Sequence, residues 1–352
     1  MNKLKEVCGA ITGPDLDIIE KTQDHLNHLT KPVASLGRLE ELAVQIAGIT
    51  SCQTPQLHTK TIFTFAADHG VTEEGISAFP KEVTPQMVYN FLKGGAAINV
   101  LAKHAGAKVV IADLGVACDL KPHPNLIVEK INYGTKNMAK EPAMSRQEAL
   151  QSIHSGIKIF EDQLKQGLDI LGTGEMGIGN TTASSAITTV LTKKHAEEVT
   201  GKGTGLDEKG LNKKIEVIKK AININKPNAA DPIDVLSKVG GFEIGALAGV
   251  ILAASSKKIP VVIDGFISGA AALLAFHLAP PSKNYMIASH CSVEIGHKAI
   301  LSHIGLKPIL DLNLRLGEGT GAALGMTIIE AALKILTQMA TFQEANVSEG
   351  KN

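Results

Sequence analysis

The side chains best placed to do chemistry lie near the C-terminus. There Glu318 sits among alternate glycines, Gly317, Gly319 and Gly321, just before a stretch, Ala322–Ile335, that reads as a helix. Glycine accepts positive φ and lets a ligand approach the main chain, and a helix start offers free N–H groups. A carboxylate at that point either caps the helix or faces a ligand as a general base, and the stretch alone leaves both open. A second glycine run, Gly172-Thr173-Gly174-Glu175-Met176-Gly177-Ile178-Gly179-Asn180-Thr181-Thr182, follows the apolar segment 168–171. It is formally G-x-G-x-x-G, the dinucleotide fingerprint. The acidic residue expected about 20 positions later should end a second strand. Glu197 and Glu198 lie instead in a lysine-rich stretch with no strand pattern. A phosphate loop fits better, because glycine N–H groups, the hydroxyls of Thr181 and Thr182 and a helix N-terminus suit a monophosphate. The basic segment Asp207–Asn225 carries Lys209, Lys213, Lys214, Lys219 and Lys220. Most of these make a solvated face, and one folded back would supply the phosphate's counter-charge.

A phosphate clamp with one poised carboxylate suits transfer of a phosphosugar to a nitrogen acceptor. That reaction fixes the phosphate, stabilises a cationic ribosyl transition state and removes a proton from the acceptor. Glu318 is the candidate base, and Glu175 the candidate that stabilises the cation or positions the leaving group. No G-x-S-x-G elbow or reactive-cysteine context signals covalent catalysis. His69 and His290 are far apart and form no i,i+4 pair, so no metal site is indicated.

The elements that must position these groups repeat one order: strand, polar residue, glycine, helix. It appears at 61–70, 168–182, 260–268, 285–292 and 308–321. Such repetition predicts an α/β fold, doubly wound, with a mostly parallel sheet and helices on both faces. Polar residues at strand C-termini, Asp68-His69 after 61–67 and Asp264 after 260–263, then fall on one ligand-binding edge. For Asp68 and His69 an ordinary turn is an equal reading. Residues 1–60 predict a small helical lobe or dimer arm, with helices at 16–29 and 36–49 not covering the sheet. C-terminal segments at 320–345 would complete that lobe, 61–319 would form a Rossmann-like catalytic domain, and 341–352 would be a frayed tail.

Composition narrows the partners. Lys+Arg and Asp+Glu are equal at 35 each, so no global field attracts nucleic acid or an anionic membrane. Aromatics are 3% of residues with no Trp, which argues against base-stacking platforms. The four cysteines form no C-x-x-C pair, which fits a reducing cytoplasm and no disulfide framework. The N-terminus lacks the apolar run of a signal peptide, and neither 244–254 nor 259–280 is a credible membrane span.

Read together, several motifs carry a resemblance. They are Lys31-Pro32 with Ser35-Leu36-Gly37-Arg38-Leu39-Glu40, Ala67-Asp68-His69-Gly70-Val71, Pro142-Ala143-Met144-Ser145-Arg146, the 172–182 run, Asp234 to Phe242, Asp264-Gly265-Phe266 and Arg315-Leu316-Gly317-Glu318-Gly319. In this order, from about residue 15 to 340, the chain resembles the nicotinate-nucleotide–dimethylbenzimidazole phosphoribosyltransferases. The resemblance implies transfer of phosphoribose from nicotinate mononucleotide to a benzimidazole, giving α-ribazole 5′-phosphate for the lower ligand of cobalamin. It further implies inversion by direct displacement, a homodimer and no metal or redox cofactor. By motif, Glu318 is the general base, and Glu175, Gly177, Asn180, Thr181, Thr182 and Lys214 surround the nucleotide. Asp68, Asp264, Ser292, Leu316 and Gly317 are further substrate-site residues. In the base-pocket segment this chain has Phe79 and Met87 where some relatives resemble Ser and Gln, which makes the pocket more apolar and leaves the preferred base open. Two rivals stand beside this reading: a nucleotide-dependent oxidoreductase resting on 172–177, and a non-catalytic sensor of benzimidazoles or nucleotides.

Overall fold

The computed structural model describes residues 2–203 and 205–348. Its centre is one sheet of six parallel strands: β1 (Lys60–Ala67), β2 (Ala107–Gly115), β3 (Leu126–Val128), β4 (Ile170–Met176), β5 (Val261–Ile263) and β6 (Met286–Ala288). Their order is β3-β2-β1-β4-β5-β6, the doubly wound arrangement in which the chain reverses its direction of travel between β1 and β4. Every residue of β1 is buried, as a parallel strand covered on both faces requires.

The pleat sorts side chains between two cores. Phe63, Phe65 and Ala67 face one, and Ile62 and Ala66 face the other. The helices are α1 (Asn2–Gly9), α2 (Leu16–Asn27), α3 (Arg38–Thr50), α4 (Val83–Lys93), α5 (Ala97–His104), α6 (Arg146–Leu164), α7 (Asn180–Thr192), α8 (Ala196–Val199), α9 (Glu208–Asn225), α10 (Pro232–Val239), α11 (Phe242–Ser256), α12 (Phe266–Leu278), α13 (Ile295–Ile304), α14 (Thr320–Gln338) and α15 (Phe342–Ala345). The Phe63 side is covered by α6, α11 and α12, and the Ile62 side by α4, α5 and α14. On the first side α6 and α11 touch backbone to backbone. A Cβ on Gly156 would lie 1.9 Å from the Ala246 carbonyl, and one on Gly249 2.1 Å from that of Ile153. Small residues therefore set the spacing of this layer.

Helices α2 and α3 pack on each other and on α14 within the Ile62 core, where Leu26, Leu42 and Ile46 join Met326 and Ile329. Gln45 of α3 donates to the Met286 carbonyl of β6 at 3.2 Å. The α1 residues Leu4 and Val7 join the opposite core, so the helices of residues 1–60 have no core apart from these two. The α14 segment Thr320–Gln338 is long and apolar enough to cross a membrane, a feature the sequence reading passed over. Here its Ala322, Met326 and Ile329 pack on the sheet.

Two boundaries differ from expectation in ways that matter for the site. β4 continues through Gly172-Thr173-Gly174-Glu175 to Met176, because parallel pairing with β1 holds Gly172 to Met176 beside Ile62 to Ala66. The segment 308–313 adds no strand to the sheet. Pro308 has no N–H to give a ladder, and beyond it the Ile309 and Leu310 N–H groups bond to the Ala288 and Ser289 carbonyls, making one isolated bridge between Leu310 and His290 past the end of β6. Of the tail at 341–352, Thr341 bridges Leu29 and caps α15, and 349–352 lie outside the described residues.

Candidate active site

The reversal between β1 and β4 leaves a crevice at the strands' C-terminal ends, where open α/β sheets bind ligands. A cavity of about 290 Å³ occupies it. Glu175, Gly177, Asn180 and Thr181 line one wall, Asp264, His290 and Ser292 another, and Arg315, Leu316, Gly317 and Glu318 a third. Phe79, Val83 and Met87 close it with apolar side chains. Glu318 and the 177–181 run thus share one cavity.

Three contacts hold Glu318 in a left-handed turn. Its φ is +65°, between Gly317 at +84° and Gly319 at +101°, so the turn carries three successive left-handed residues. Thr64 of β1 donates its hydroxyl to the Glu318 carbonyl at 2.9 Å. Gly174 of β4 lies beneath, and a Cβ there would be 2.2 Å from the same oxygen. Ile98 N–H, in the first turn of α5, donates to Glu318 Oε2 at 3.2 Å. The cap of α14 is Asp264, whose carboxylate accepts from Gly319, Gly321 and Ala322 N–H at 3.2, 2.7 and 3.1 Å. Glu318 is therefore not the cap of its own helix. Burial raises its pKa above the usual carboxylate range, partly opposed by the Ile98 N–H and reinforced by the nearby Asp264 charge.

Glu175, next to last in β4, has its carboxyl accepting from the Asn180 side-chain amide and abutting Gly317. A Cβ at Gly317 would lie 2.3 Å from Glu175 Oε1, and its φ of +84° also favours glycine where these two walls meet. Burial pushes the Glu175 pKa up to about 8, with further contributions from Glu243, Asp264 and Glu318.

A small hollow adjoins the cavity, lined by Gly177, Gly179, Asn180, Thr181, Gly203 and Lys214. Helix α7 begins there after Gly179 with no side-chain cap, and its Asn180 and Thr182 N–H groups donate to the Gly177 and Gly179 carbonyls. Lys214 of α9 is 1% exposed, and its Nζ donates to Thr181 Oγ1 at 2.8 Å. Burial brings its pKa down to about 8, opposed by Glu294. An uncapped helix start, two hydroxyl or amide side chains and a desolvated ammonium make an anion site.

Some expected residues lie elsewhere. Thr182 is fully buried on the inner side of α7 and lines neither space. Asp68 faces a separate hollow of about 710 Å³ beyond the 77–82 loop, and its Oδ2 accepts from Ala117 N–H at 2.8 Å. Asp264 lines the cavity, but its oxygens are engaged in capping α14, which makes it a support for the Glu318 turn. Ser292 donates to the Leu314 carbonyl at 3.2 Å and braces the same segment. Gly172 and Gly174 lie inside β4, so the G-x-G-x-x-G run does not form the turn after a strand that a dinucleotide fingerprint requires.

Two participants escaped the sequence reading. Glu243, fully buried in α11, pairs with His69 Nε2 at 2.7 Å. The signal was present: a lone acid in the first turn of an otherwise apolar helix needs a buried partner. Thr64 left no signal, because a threonine within a buried strand reads as β-propensity alone. Among the described residues no group of three His, Cys, Asp or Glu side chains is spaced to hold a metal ion.

Comparison with known proteins gives a consistent result. A family model described as phosphoribosyltransferase matches residues 11–347. A Chloroflexus aurantiacus protein named nicotinate-nucleotide–dimethylbenzimidazole phosphoribosyltransferase is 59% identical over 321 residues, covering 91% of this chain and 92% of its own. A Desulforudis audaxviator protein of the same name is 56% identical over all 352 residues, covering 100% of both chains. The crystal structure of CobT from Thermus thermophilus superposes with a TM-score of 0.92 at 43% identity, over 95% of this chain and 100% of that one.

Proposed function

The chain belongs to the nicotinate-nucleotide–dimethylbenzimidazole phosphoribosyltransferases, and from that premise we propose how its cavity moves 5-phosphoribose from nicotinate mononucleotide to 5,6-dimethylbenzimidazole. The products are α-ribazole 5′-phosphate and nicotinate, a step in making the nucleotide loop of cobalamin. The nucleotide phosphate sits in the hollow at the start of α7, against Thr181 and Lys214. The ribose lies over Glu175 and the Gly317 turn, and the benzimidazole packs on Phe79, Val83 and Met87. One benzimidazole nitrogen attacks C1′ as the bond from C1′ to the nicotinate nitrogen breaks, and that electron pair returns to the pyridine ring. Glu318 takes the proton from the other benzimidazole nitrogen. Attack on the face opposite the leaving group turns a β-nucleotide into an α-product, and no protein nucleophile is required.

The observation that carries this assignment is that Glu318 and the Lys214–Thr181 pair lie at two ends of connected spaces sharing Gly177, Asn180, Thr181 and Gly203. The raised Glu318 pKa supports the base role, since it brings a carboxylate closer to the operating pH. The chain works as a homodimer in this reading. Support comes from exposed Val293, Ile295, Leu312 and Leu316, on two segments joined by the Val293 N–H bond to the Leu314 carbonyl. Cytoplasmic placement is supported by four free cysteines. The test is direct: with nicotinate mononucleotide and dimethylbenzimidazole the protein should release nicotinate and α-ribazole phosphate in equal amounts. Nucleotide binding without either product would leave a sensor and not an enzyme.

A further inference from the structure

Glu175, Asp264 and Glu318 line the cavity, and a fourth carboxyl, Glu243 of α11, is near enough to act on Glu175. Glu175, Glu243, Asp264 and Glu318 are 6%, 0%, 1% and 5% exposed. Each of three has a partner that stabilises its negative charge. Glu243 holds His69 at 2.7 Å. Asp264 takes three main-chain N–H groups and has His290 Nε2 at 3.8 Å. Glu318 takes the Ile98 N–H at a helix start. Glu175 differs: its hydrogen-bond partner is the neutral amide of Asn180, and its other oxygen abuts the Gly317 Cα. The charged groups acting on it are Glu243 of α11, Asp264 after β5 and Glu318 of the turn, all acidic. The cations Lys214 and Arg315 are turned to Thr181 and to the Gly203 carbonyl. A charge this poorly solvated gives way to its protonated form.

We propose that Glu175 meets the nucleotide as a neutral carboxylic acid, kept protonated by its burial and by the acidic groups around it, and donates its O–H to an oxygen of that nucleotide. The inference rests on the nucleotide reading above and adds a charge argument to it. Nicotinate mononucleotide brings a phosphate and a carboxylate, and a fourth buried carboxylate would repel both. A neutral acid removes that repulsion and offers a donor where the wall otherwise holds acceptors. Glu175 then positions the nucleotide through that hydrogen bond.

Infrared spectroscopy of the ligand-free protein reads the protonation directly and is blind to Lys214. The expected result is a protonated-carboxyl C=O band present at pH 6.5, lost as pH rises through about 8, and missing from Glu175→Gln. Glu318→Gln removes an acidic neighbour that has no cationic partner and should move that loss to lower pH, which keeps the test open if Glu175→Gln does not fold. A spectrum at pH 6.5 that is the same in wild type and Glu175→Gln would overturn the proposal. Calorimetry with nicotinate mononucleotide tests the hydrogen bond. Above pH 8 the wild-type affinity should fall more steeply than that of Glu175→Gln by one tenfold step per pH unit, the slope of one additional linked proton. Equal slopes would overturn the donation. Failure to bind the nucleotide at any pH, with the infrared band present, would instead bring down the substrate assignment and the donation with it.

Discussion

The carbonyl oxygen of Glu318 rests on the Cα of Gly174, so that a methyl group added there would lie 2.2 Å from it. Gly174 is thus the floor under the proposed base, supplied by a strand about half the chain away. Gly174→Ala should displace the 317–319 turn, and a shift near 1 Å in a reacting group costs on the order of 10² in rate. Steady-state kinetics should show that loss in kcat, while calorimetry finds nucleotide affinity within a few-fold of wild type. An unchanged kcat would mean that Glu318 is not positioned through β4.

Lys214 tests the phosphate hollow. Hydrogen bonds to charged groups contribute about 1.5–3 kcal/mol, so Lys214→Met should weaken nicotinate mononucleotide binding by roughly 10–100-fold and change kcat less. A substrate lacking the 5′-phosphate should bind wild type and variant equally. If it distinguished them, the lysine would be contacting another part of the nucleotide.

The buried pair His69–Glu243 should matter for stability more than for turnover. Burial alone would push the histidine's pKa down, but the Glu243 carboxylate outweighs it and the net shift is upward. A raised folded value means that the pair's stabilisation is complete below the unfolded histidine value of about 6.5 and is lost as pH rises through the folded one. His69→Gln leaves Glu243 without its buried counter-ion, at a cost of about 3–5 kcal/mol. Urea denaturation at several pH values should show that deficit at low pH and its shrinkage at high pH. A deficit that grows with pH would reverse the assignment of charge.

Much of this architecture can be read from the amino-acid order. Apolar runs ending in Asp68-His69, Glu175 and Asp264 locate the strand ends, and the alternate glycines at 317–321 mark the turn that carries Glu318. The division of labour between Glu318 and Asp264 cannot be read there, since both are acids beside glycines and only three-dimensional contact shows which one caps α14. The same holds for Gly172 and Gly174, whose pattern matches a phosphate-binding turn although pairing with β1 makes them strand. Thr64 and Glu243 act across the sheet on residues 254 and 174 positions away, a distance over which local pattern carries no information.

Phe79 and Met87 form the apolar wall proposed to select the acceptor. Their wall of the cavity offers no side-chain donor or acceptor, and burying an unpartnered polar edge costs about 1–3 kcal/mol. Dimethylbenzimidazole should therefore exceed adenine in kcat/KM by roughly 5–100-fold, and Met87→Gln should narrow the gap. A panel of lower-ligand bases measured under one set of conditions decides it. Equal kcat/KM values for apolar and polar bases would show that this wall does not select.

The central claim is that Glu318 removes the acceptor's proton, and Glu318→Gln measures it most directly. The substitution preserves shape, the Ile98 contact and the turn, but abolishes basicity. Turnover of nicotinate mononucleotide with dimethylbenzimidazole should fall by about 10²–10⁴, with nucleotide affinity retained. Turnover equal to wild type would contradict the account and leave Glu318 as no more than an acceptor for the first turn of α5.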